Sequence, residues 1–409
     1  MRLLYNFGIK LFVLALKIAS IRNNKAKRWV EGRKGLLKKI KKEQNPGEKV
    51  IWVHCASLGE FEQGRPLIEE IRRRFPEKKI LLTFFSPSGY EVQKNYQGVE
   101  YIYYLPADTR RNARRFIKFC NPEIVFFIKY EYWYNYLSIL KKKKIPTYFV
   151  STIFRKDQLF FKKRGGWYRK MLKLVTHFFL QNQESADLLL SLKITNFSIT
   201  GDTRFDRVAH ILENVKPVPL VEKFLNGQKA IIAGSSWKAE EALLMQYYRI
   251  NPSHKLIIVP HEVNEENTKR ICQLFDNNIV VYSKFNSTYS PDKKVMIVDQ
   301  YGLLTSIYQY GFLALIGGGF GAGIHNVLEA ATFGMPVIFG PNHQKFKEAI
   351  DMTELHCAFT VNNIEDFNPL LTHLLKNPAL LVELSQKASE YVKANVGATN
   401  KILDAVFDK

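Results

Sequence analysis

A glycine-rich stretch limits this chain to few folds. Residues 313–341 read LALIGGGFGAGIHNVLEAATFGMPVIFGP. An apolar run, 313–316, breaks into Gly317, Gly318 and Gly319, then Gly321 and Gly323. His325 and Asn326 follow, 327–333 read as a short helix, Gly334 stops it, and 336–339 read as the next strand. Strand, glycine loop, helix and strand in that order make the repeating unit of a parallel α/β sheet. Glycines let a backbone come close to a ligand. A helix start presents unpaired N–H groups to an anion. Asn326 fits an N-cap, with Glu329 three residues on as in a capping box. Glu329 therefore has two readings, a capping carboxylate or an acceptor for ribose hydroxyls, and the residues alone leave both open. The spacing fits neither the dinucleotide fingerprint nor the P-loop, which ends in Gly-Lys-Ser/Thr.

With 409 residues the chain has room for two domains with full cores. Lys and Arg number 60 against 38 Asp and Glu, a net charge of +22, which implies polyanionic partners: nucleic acid, an anionic membrane face or phosphorylated substrates. Cys55, Cys120, Cys272 and Cys357 are scattered without a CxxC pair, so neither a zinc site nor a disulfide framework is expected. Residues 1–20 are apolar but carry Arg2, Lys10 and Lys17, and lack a small-residue cleavage site. That pattern predicts an interfacial helix or a weak anchor rather than a secretory signal. A basic run from Arg22 to Lys42 follows, the arrangement that binds an anionic cytoplasmic leaflet.

Strand-like runs then alternate with helical ones, which predicts a parallel sheet covered on both faces. The first, 50–54 (VIWVH), ends near Glu60, with a helix expected from Phe61. Others fall at 80–84, 101–105, 124–128, 146–151, 177–181 and 197–200. Glu60 and Glu131 thus lie at the carboxyl ends of strands, where open α/β sheets bind ligands. Each has a functional reading as acid or base and a structural one, Glu60 as a carboxylate answering the helix dipole. Aromatic residues 130–134 suit a sugar cleft as well as packing. Pro217 and Pro219 mark a linker around 207–219, and a second series begins at 229–233, 256–259, 280–282 and 295–298. Expected domains are 1–20, 21–210 and 211–409, the last helix (400–407) crossing back to the first. No HExxH, GxSxG or strand-end carboxylate pair is present, so no metal or cofactor is expected.

Four motifs occur in order: ASLGE ending at Glu60; Glu131-x-Trp133-x-Asn135; Gly201-x-x-Arg204-Phe205-Asp206; and Gly323-Ile324-His325-Asn326-x-Leu328-Glu329. Together they resemble the 3-deoxy-D-manno-octulosonate (Kdo) transferases, glycosyltransferases of the GT-B superfamily. The resemblance implies two Rossmann-like domains facing a cleft. It implies an inverting, metal-independent transfer of Kdo from CMP-Kdo to the lipid A precursor, lipid IVA, at the cytoplasmic face of a bacterial inner membrane. Glu60 then matches the general base, and Glu131 and Arg204 match residues that assist the transition state. Lys is commoner than Arg at the latter position. Pro260 and His261, the turn Tyr301, Gly302, Leu303, Leu304, and the segment Gly323, His325, Asn326, Val327, Leu328, Glu329 match CMP-Kdo contacts. The arginine usual in the motif of Pro260 and His261 is missing here. Two other readings remain: a GT-B enzyme using a UDP-sugar and a lipid-linked acceptor, and a basic nucleic-acid-binding protein, for which no motif is present.

Overall fold

The structure, a computed structural model, describes residues 1–408. The chain divides into two α/β units. Unit 1 comprises Met1–Arg207 and the segment that begins at Val396; unit 2 is Val208–Asn395.

In unit 1, strands β1 (Val50–Cys55), β2 (Lys79–Phe84), β3 (Tyr101–Tyr104), β4 (Pro122–Ile128), β5 (Thr147–Thr152), β6 (His177–Leu180) and β7 (Phe197–Ile199) form one sheet, ordered β3-β2-β1-β4-β5-β6-β7. Every pairing is parallel. Alternate residues of β1 enter two cores: Val50 and Trp52 join Phe116, Phe127 and Tyr136, while Ile51, Val53 and Cys55 join Phe61, Leu67 and Ile71. This burial on both faces is why the strands read as unbroken apolar runs.

Three helices precede β1: α1 (Arg2–Ala19), α2 (Asn24–Glu31) and α3 (Leu36–Glu43). Among the described residues no helix is long and apolar enough to cross a membrane. One face of α1 is nonetheless tied to unit 1. Tyr5 Oη donates to the buried Asp108 at 2.6 Å, and Asn135 Nδ2 donates to Asn6 Oδ1 at 2.9 Å. Burial raises the Asp108 carboxyl to about 6, although Tyr5 and the Asn135 and Tyr136 amides pull it down.

Unit 2 carries β8 (Ala230–Ser236), β9 (Lys255–Pro260), β10 (Val280–Val281), β11 (Val295–Ile297), β12 (Gly311–Ile316), β13 (Val337–Phe339) and β14 (Ala358–Thr360), in the parallel order β10-β11-β9-β8-β12-β13-β14. β14 has no counterpart among the expected strands. The segment expected to be a linker is largely helical, as Thr203–Asn214 and Pro219–Leu225. The proline serves at the first turn of the second helix, where its missing N–H costs nothing.

Candidate active site

The first candidate cluster lies at the carboxyl edge of the unit 1 sheet. The helix after β1, α4 (Leu58–Arg74), begins three residues earlier than expected, so Glu60 sits in its first turn. Ser57-x-x-Glu60 has the spacing of a capping box. The Ser57 hydroxyl, however, donates to the Glu60 carboxylate and makes no cap to the backbone. Glu60 is therefore oriented by a side chain at the mouth of the sheet, and its oxygens are not consumed in closing the helix end.

Glu131 follows β4, whose last turn is tight: Lys129 sits at φ 63°, in the left-handed region. Its carboxylate is 18% exposed and lies 3.3 Å from His54 Nε2. Trp133 Nε1 donates to the same oxygen at 2.7 Å. His54 is fully buried and its Nδ1 lies 2.8 Å from Thr83 Oγ1, which also accepts from Trp52 Nε1 at 2.7 Å. A Trp52–Thr83–His54 relay thus stands behind Glu131. Glu131 also lines a cavity of about 420 Å³ with Tyr5, Ile9, Tyr130, Trp133 and Phe160.

Arg204 lies in the first turn of the helix Thr203–Asn214, which follows β7. Its Nε and Nη2 both lie 2.8 Å from Asp202 Oδ2, and its backbone N–H donates to Asp202 Oδ1 at 2.9 Å. Burial alone would raise the Asp202 carboxyl, but Arg204 and these N–H bonds hold it below its ordinary value. The Thr203 hydroxyl ties the start of this helix to α4, donating to Gln63 O at 2.6 Å. The three residues share a neighbourhood. Glu60 and Glu131 both act, after burial, to push up the Cys55 thiol, and Glu60, Asp202 and Arg204 all act on the half-buried Tyr130 phenol.

The second cluster lies at the corresponding edge of unit 2. After β12 the glycine run is compact. Gly318 (φ 91°) and Gly323 (φ 136°) hold conformations that L side chains rarely adopt, and a Cβ on Gly319 would strike the Gly340 backbone. The Gly318 amide donates to the fully buried Glu240 at 2.9 Å. Rings from the ends of three adjacent strands stack here. His261 follows β9, Trp237 follows β8 and His325 follows β12. Centroids are 4.3 Å apart for His261–His325 and 4.7 Å for Trp237–His261. Trp237 Nε1 lies 3.0 Å from His325 Nε2. An indole N–H only donates, so that nitrogen of His325 accepts and its proton resides on Nδ1. Burial, and then His261, lower His325 to about 4. The ring is thus a neutral N–H donor at physiological pH.

The other expected donor contacts divide into two groups. Asn326 Oδ1 accepts from the Leu328 amide at 3.1 Å and its Nδ2 donates to Glu329 at 3.0 Å, but the N-cap of the short helix Leu328–Thr332 is Val327, one residue later than expected, and no capping box forms. Glu329 also accepts from Thr305 at 2.8 Å, which ties the Tyr301–Leu304 turn to the glycine loop. Gly302 turns at φ 84°, and Tyr301 is 73% exposed. In contrast Val327 and Leu328 are fully buried, so neither side chain meets a ligand, and Pro260 is buried at the end of β9. His261, His325 and the glycine loop are brought together; Tyr301 stands at the rim, its Oη accepting from Val263 N. Trp237, Glu240, Asp202 and His54 were not anticipated. Trp237 had a usable signal, since it follows an expected strand at the same sheet edge. Among the described residues no group of three or more His, Cys, Asp or Glu side chains could hold a metal ion.

Residues 27–207 match the family described as 3-deoxy-D-manno-octulosonic-acid transferase (kdotransferase). The 3-deoxy-D-manno-octulosonic acid transferase of Aquifex aeolicus is 28% identical over 334 residues, 80% of this chain and 86% of that one. That of Haemophilus influenzae is 24% identical over 380 residues, 88% and 87% of the two chains. Among solved structures, UDP-GlcNAc 2-epimerase from Neisseria meningitidis superposes with a TM-score of 0.64 at 17% identity, over 88% of this chain and 100% of that one, a likeness of fold alone. The family's domain thus occupies residues 27–207, and Kdo transferases are similar to this chain of two α/β units along most of its length.

Proposed function

We propose that this protein transfers Kdo from CMP-Kdo to lipid IVA, with inversion at the anomeric carbon and without a metal. The observation that carries the reading is the state of Glu60: a half-buried carboxylate at the sheet mouth, oriented by Ser57 and not spent on capping its helix. A group so held suits a general base. In the proposed step Glu60 takes the proton of an acceptor hydroxyl. The oxygen attacks the anomeric carbon of Kdo, and the bond from that carbon to the phosphate oxygen breaks. CMP leaves with the electron pair. Arg204, braced by Asp202, answers charge developing near the leaving phosphate. Glu131, held by Trp133 and His54, orients the acceptor sugar or steadies positive charge on the anomeric carbon. On unit 2, His325 as a neutral N–H donor, the glycine loop and Glu329 bind the nucleotide, Glu329 through the ribose. Membrane attachment on the cytoplasmic face of the inner membrane belongs to the same proposal and rests on α1 and the basic residues behind it.

The test is transfer from CMP-Kdo, generated in situ, to lipid IVA with chelator present, for wild type and Glu60→Gln. Glu60→Gln should lower kcat by about 100-fold or more, with the acceptor KM little changed. A nearly unimpaired Glu60→Gln would remove Glu60 as the base. Activity with UDP-N-acetylglucosamine and none with CMP-Kdo would replace the donor assignment.

A further inference from the structure

Among the described residues, a half-buried cation of unit 1 has no carboxylate partner. Arg33, between α2 and α3, is half-buried with its guanidinium turned inward. Nε donates to Leu105 O at 2.9 Å, Nη1 to Trp29 O at 3.1 Å and Nη2 to Phe85 O at 2.8 Å. The guanidinium carbon lies 3.8 Å from the Trp29 ring centroid and 4.7 Å from that of Tyr104. Carbonyl dipoles and ring faces soften the burial of this charge but do not neutralise it. Among the described residues no carboxylate pairs with it, and three of its five N–H groups are used. Burial lowers it to about 9, so it stays charged at neutral pH.

Arg33 lines a cavity of about 500 Å³ together with Lys17 of α1, Lys34, Lys38 of α3, and Arg115 of the helix Arg110–Cys120. Among the described residues none of these five cations forms an ion pair with a carboxylate. Bringing five like charges around one cavity is unfavourable unless an anion joins them. The floor is apolar, with Trp29, Val30 and Leu36. A chain of three contacts connects the cavity to Glu131. Arg33 Nη2 holds Phe85 O, the Phe85 ring packs 4.8 Å from that of Trp133, and Trp133 donates to Glu131. Helix α1 walls both places: Tyr5 and Ile9 line the Glu131 cavity, and Val13 and Lys17 line this one. Ile9 and Val13 are one turn, about 6 Å, apart along the helix axis.

We propose that this cavity binds a phosphate group of the lipid acceptor, holding it one turn of α1 from the carboxylate that meets the acceptor sugar. The inference rests on the function proposed above. A phosphate monoester carries up to two charges and three strong acceptor oxygens, and arginine forks match it bidentately. This explains several cations on an apolar floor better than a single carboxylate ligand does. A phosphate so placed fixes the acceptor's register along α1, so that one hydroxyl is presented to chemistry. Arg33 and its neighbours touch the acceptor away from the reacting atoms and act on its binding, not on the bond being made.

The test has two arms. The first measures binding of dihexanoyl phosphatidic acid, with dihexanoylglycerol as the uncharged control, from Trp fluorescence of the full chain. The variant Lys34→Gln/Lys38→Gln/Arg115→Gln alters exposed or half-buried side chains and keeps Arg33. It should bind the phosphate probe about tenfold or more weakly. The second arm measures transfer in detergent to the phosphorylated acceptor and to the same acceptor treated with phosphatase. The triple variant should raise KM about tenfold for the first, with kcat within about twofold, and leave the second unchanged. Equal phosphatidic acid binding by variant and wild type would overturn the proposal. So would equal KM changes for the two acceptors. Loss of binding to phosphatidylglycerol vesicles with an unchanged detergent KM would make this a bilayer phospholipid site, and would also overturn it. A wild type that transfers to no phosphorylated lipid would fail the functional reading, and the phosphatidic acid titration would still decide the cavity.

Discussion

The Trp237–His325 pair fixes a proton. Because Trp237 can only donate, the neutral imidazole with an open Nε2 is the form it stabilises. Trp237→Phe keeps a ring for His261 to stack on and removes that donor. The His325 pKa should then rise from its lowered value by roughly half a unit to one unit, the worth of one hydrogen bond of about 1 kcal/mol. ¹⁵N-histidine spectra of wild type and variant across pH 4–8 read both effects, since they distinguish the two tautomers. A wild-type signal for the Nε2–H form would sink the argument. A lowered histidine pKa also has a sign for stability: the unfolded chain binds its proton first, so this contribution falls as pH drops from 6.5 toward 4. The titrating and charged groups around the ring are His261 on its face and Lys238, Glu240, Glu262 and Arg270 in the same cavity. None of this pairing was legible in sequence, where Trp237 and His325 stand 88 residues apart. The glycine loop was legible because its chemistry is local, and so was the Asn326–Glu329 spacing.

Elements were easier to read than their partners. Thirteen strands coincide with apolar runs, because a parallel strand buried on both faces must be apolar throughout. β14 escaped because three residues, Ala358–Thr360, carry too little pattern. The start expected for α4 falls three residues late because Gly59, a residue type common in turns, lies inside the helix's first turn. The motif holding Arg204 shows a further limit. Its first acidic residue, Asp202, braces Arg204, but its last, Asp206, serves another element. Asp206 accepts from the Gly397 amide at 2.5 Å, the Thr399 amide at 2.7 Å and the Thr399 hydroxyl at 2.6 Å, and so caps the helix Ala398–Phe407. That helix sends Ile402 and Leu403 into the core beside α4 and pairs Asp404 with Arg74. Asp206→Ala would leave buried N–H groups unpaired and should destabilise unit 1 by about 2–3 kcal/mol. Asp206→Asn, which keeps an acceptor, should cost less. Urea unfolding with amide exchange at Thr399 separates this from an effect on catalysis: unchanged exchange in Asp206→Ala would show that the cap does not hold the helix.

Charge acts over the whole molecule. A net +22 draws the chain to any anionic surface, but charge alone selects no orientation. Helix α1 supplies one. Its inner face, with Tyr5, Asn6 and Ile9, packs on unit 1, while Leu4, Phe7, Leu11, Leu14 and Ile18 are exposed at three- and four-residue spacing along the other side. An apolar stripe flanked by Lys10 and Lys17 suits a helix lying in the headgroup layer. The helix docked by Tyr5 would then present the Glu131 cavity and the cationic cavity toward the lipid from which an acceptor arrives. Two contributions can be separated. Each basic residue near an anionic surface is worth about 1 kcal/mol and is screened by salt, whereas apolar burial is not. Phe7→Ser/Leu11→Ser removes two stripe residues that face away from unit 1. It should weaken partitioning into phosphatidylglycerol vesicles by about tenfold or more while leaving the salt dependence of what remains unchanged. Raising NaCl from about 0.1 M to about 0.5 M should weaken wild type and variant by the same factor. Vesicle sedimentation checks both. Partitioning that vanishes in high salt for the wild type, with no effect of the double substitution, would leave the attachment to charge alone and take α1 out of the membrane.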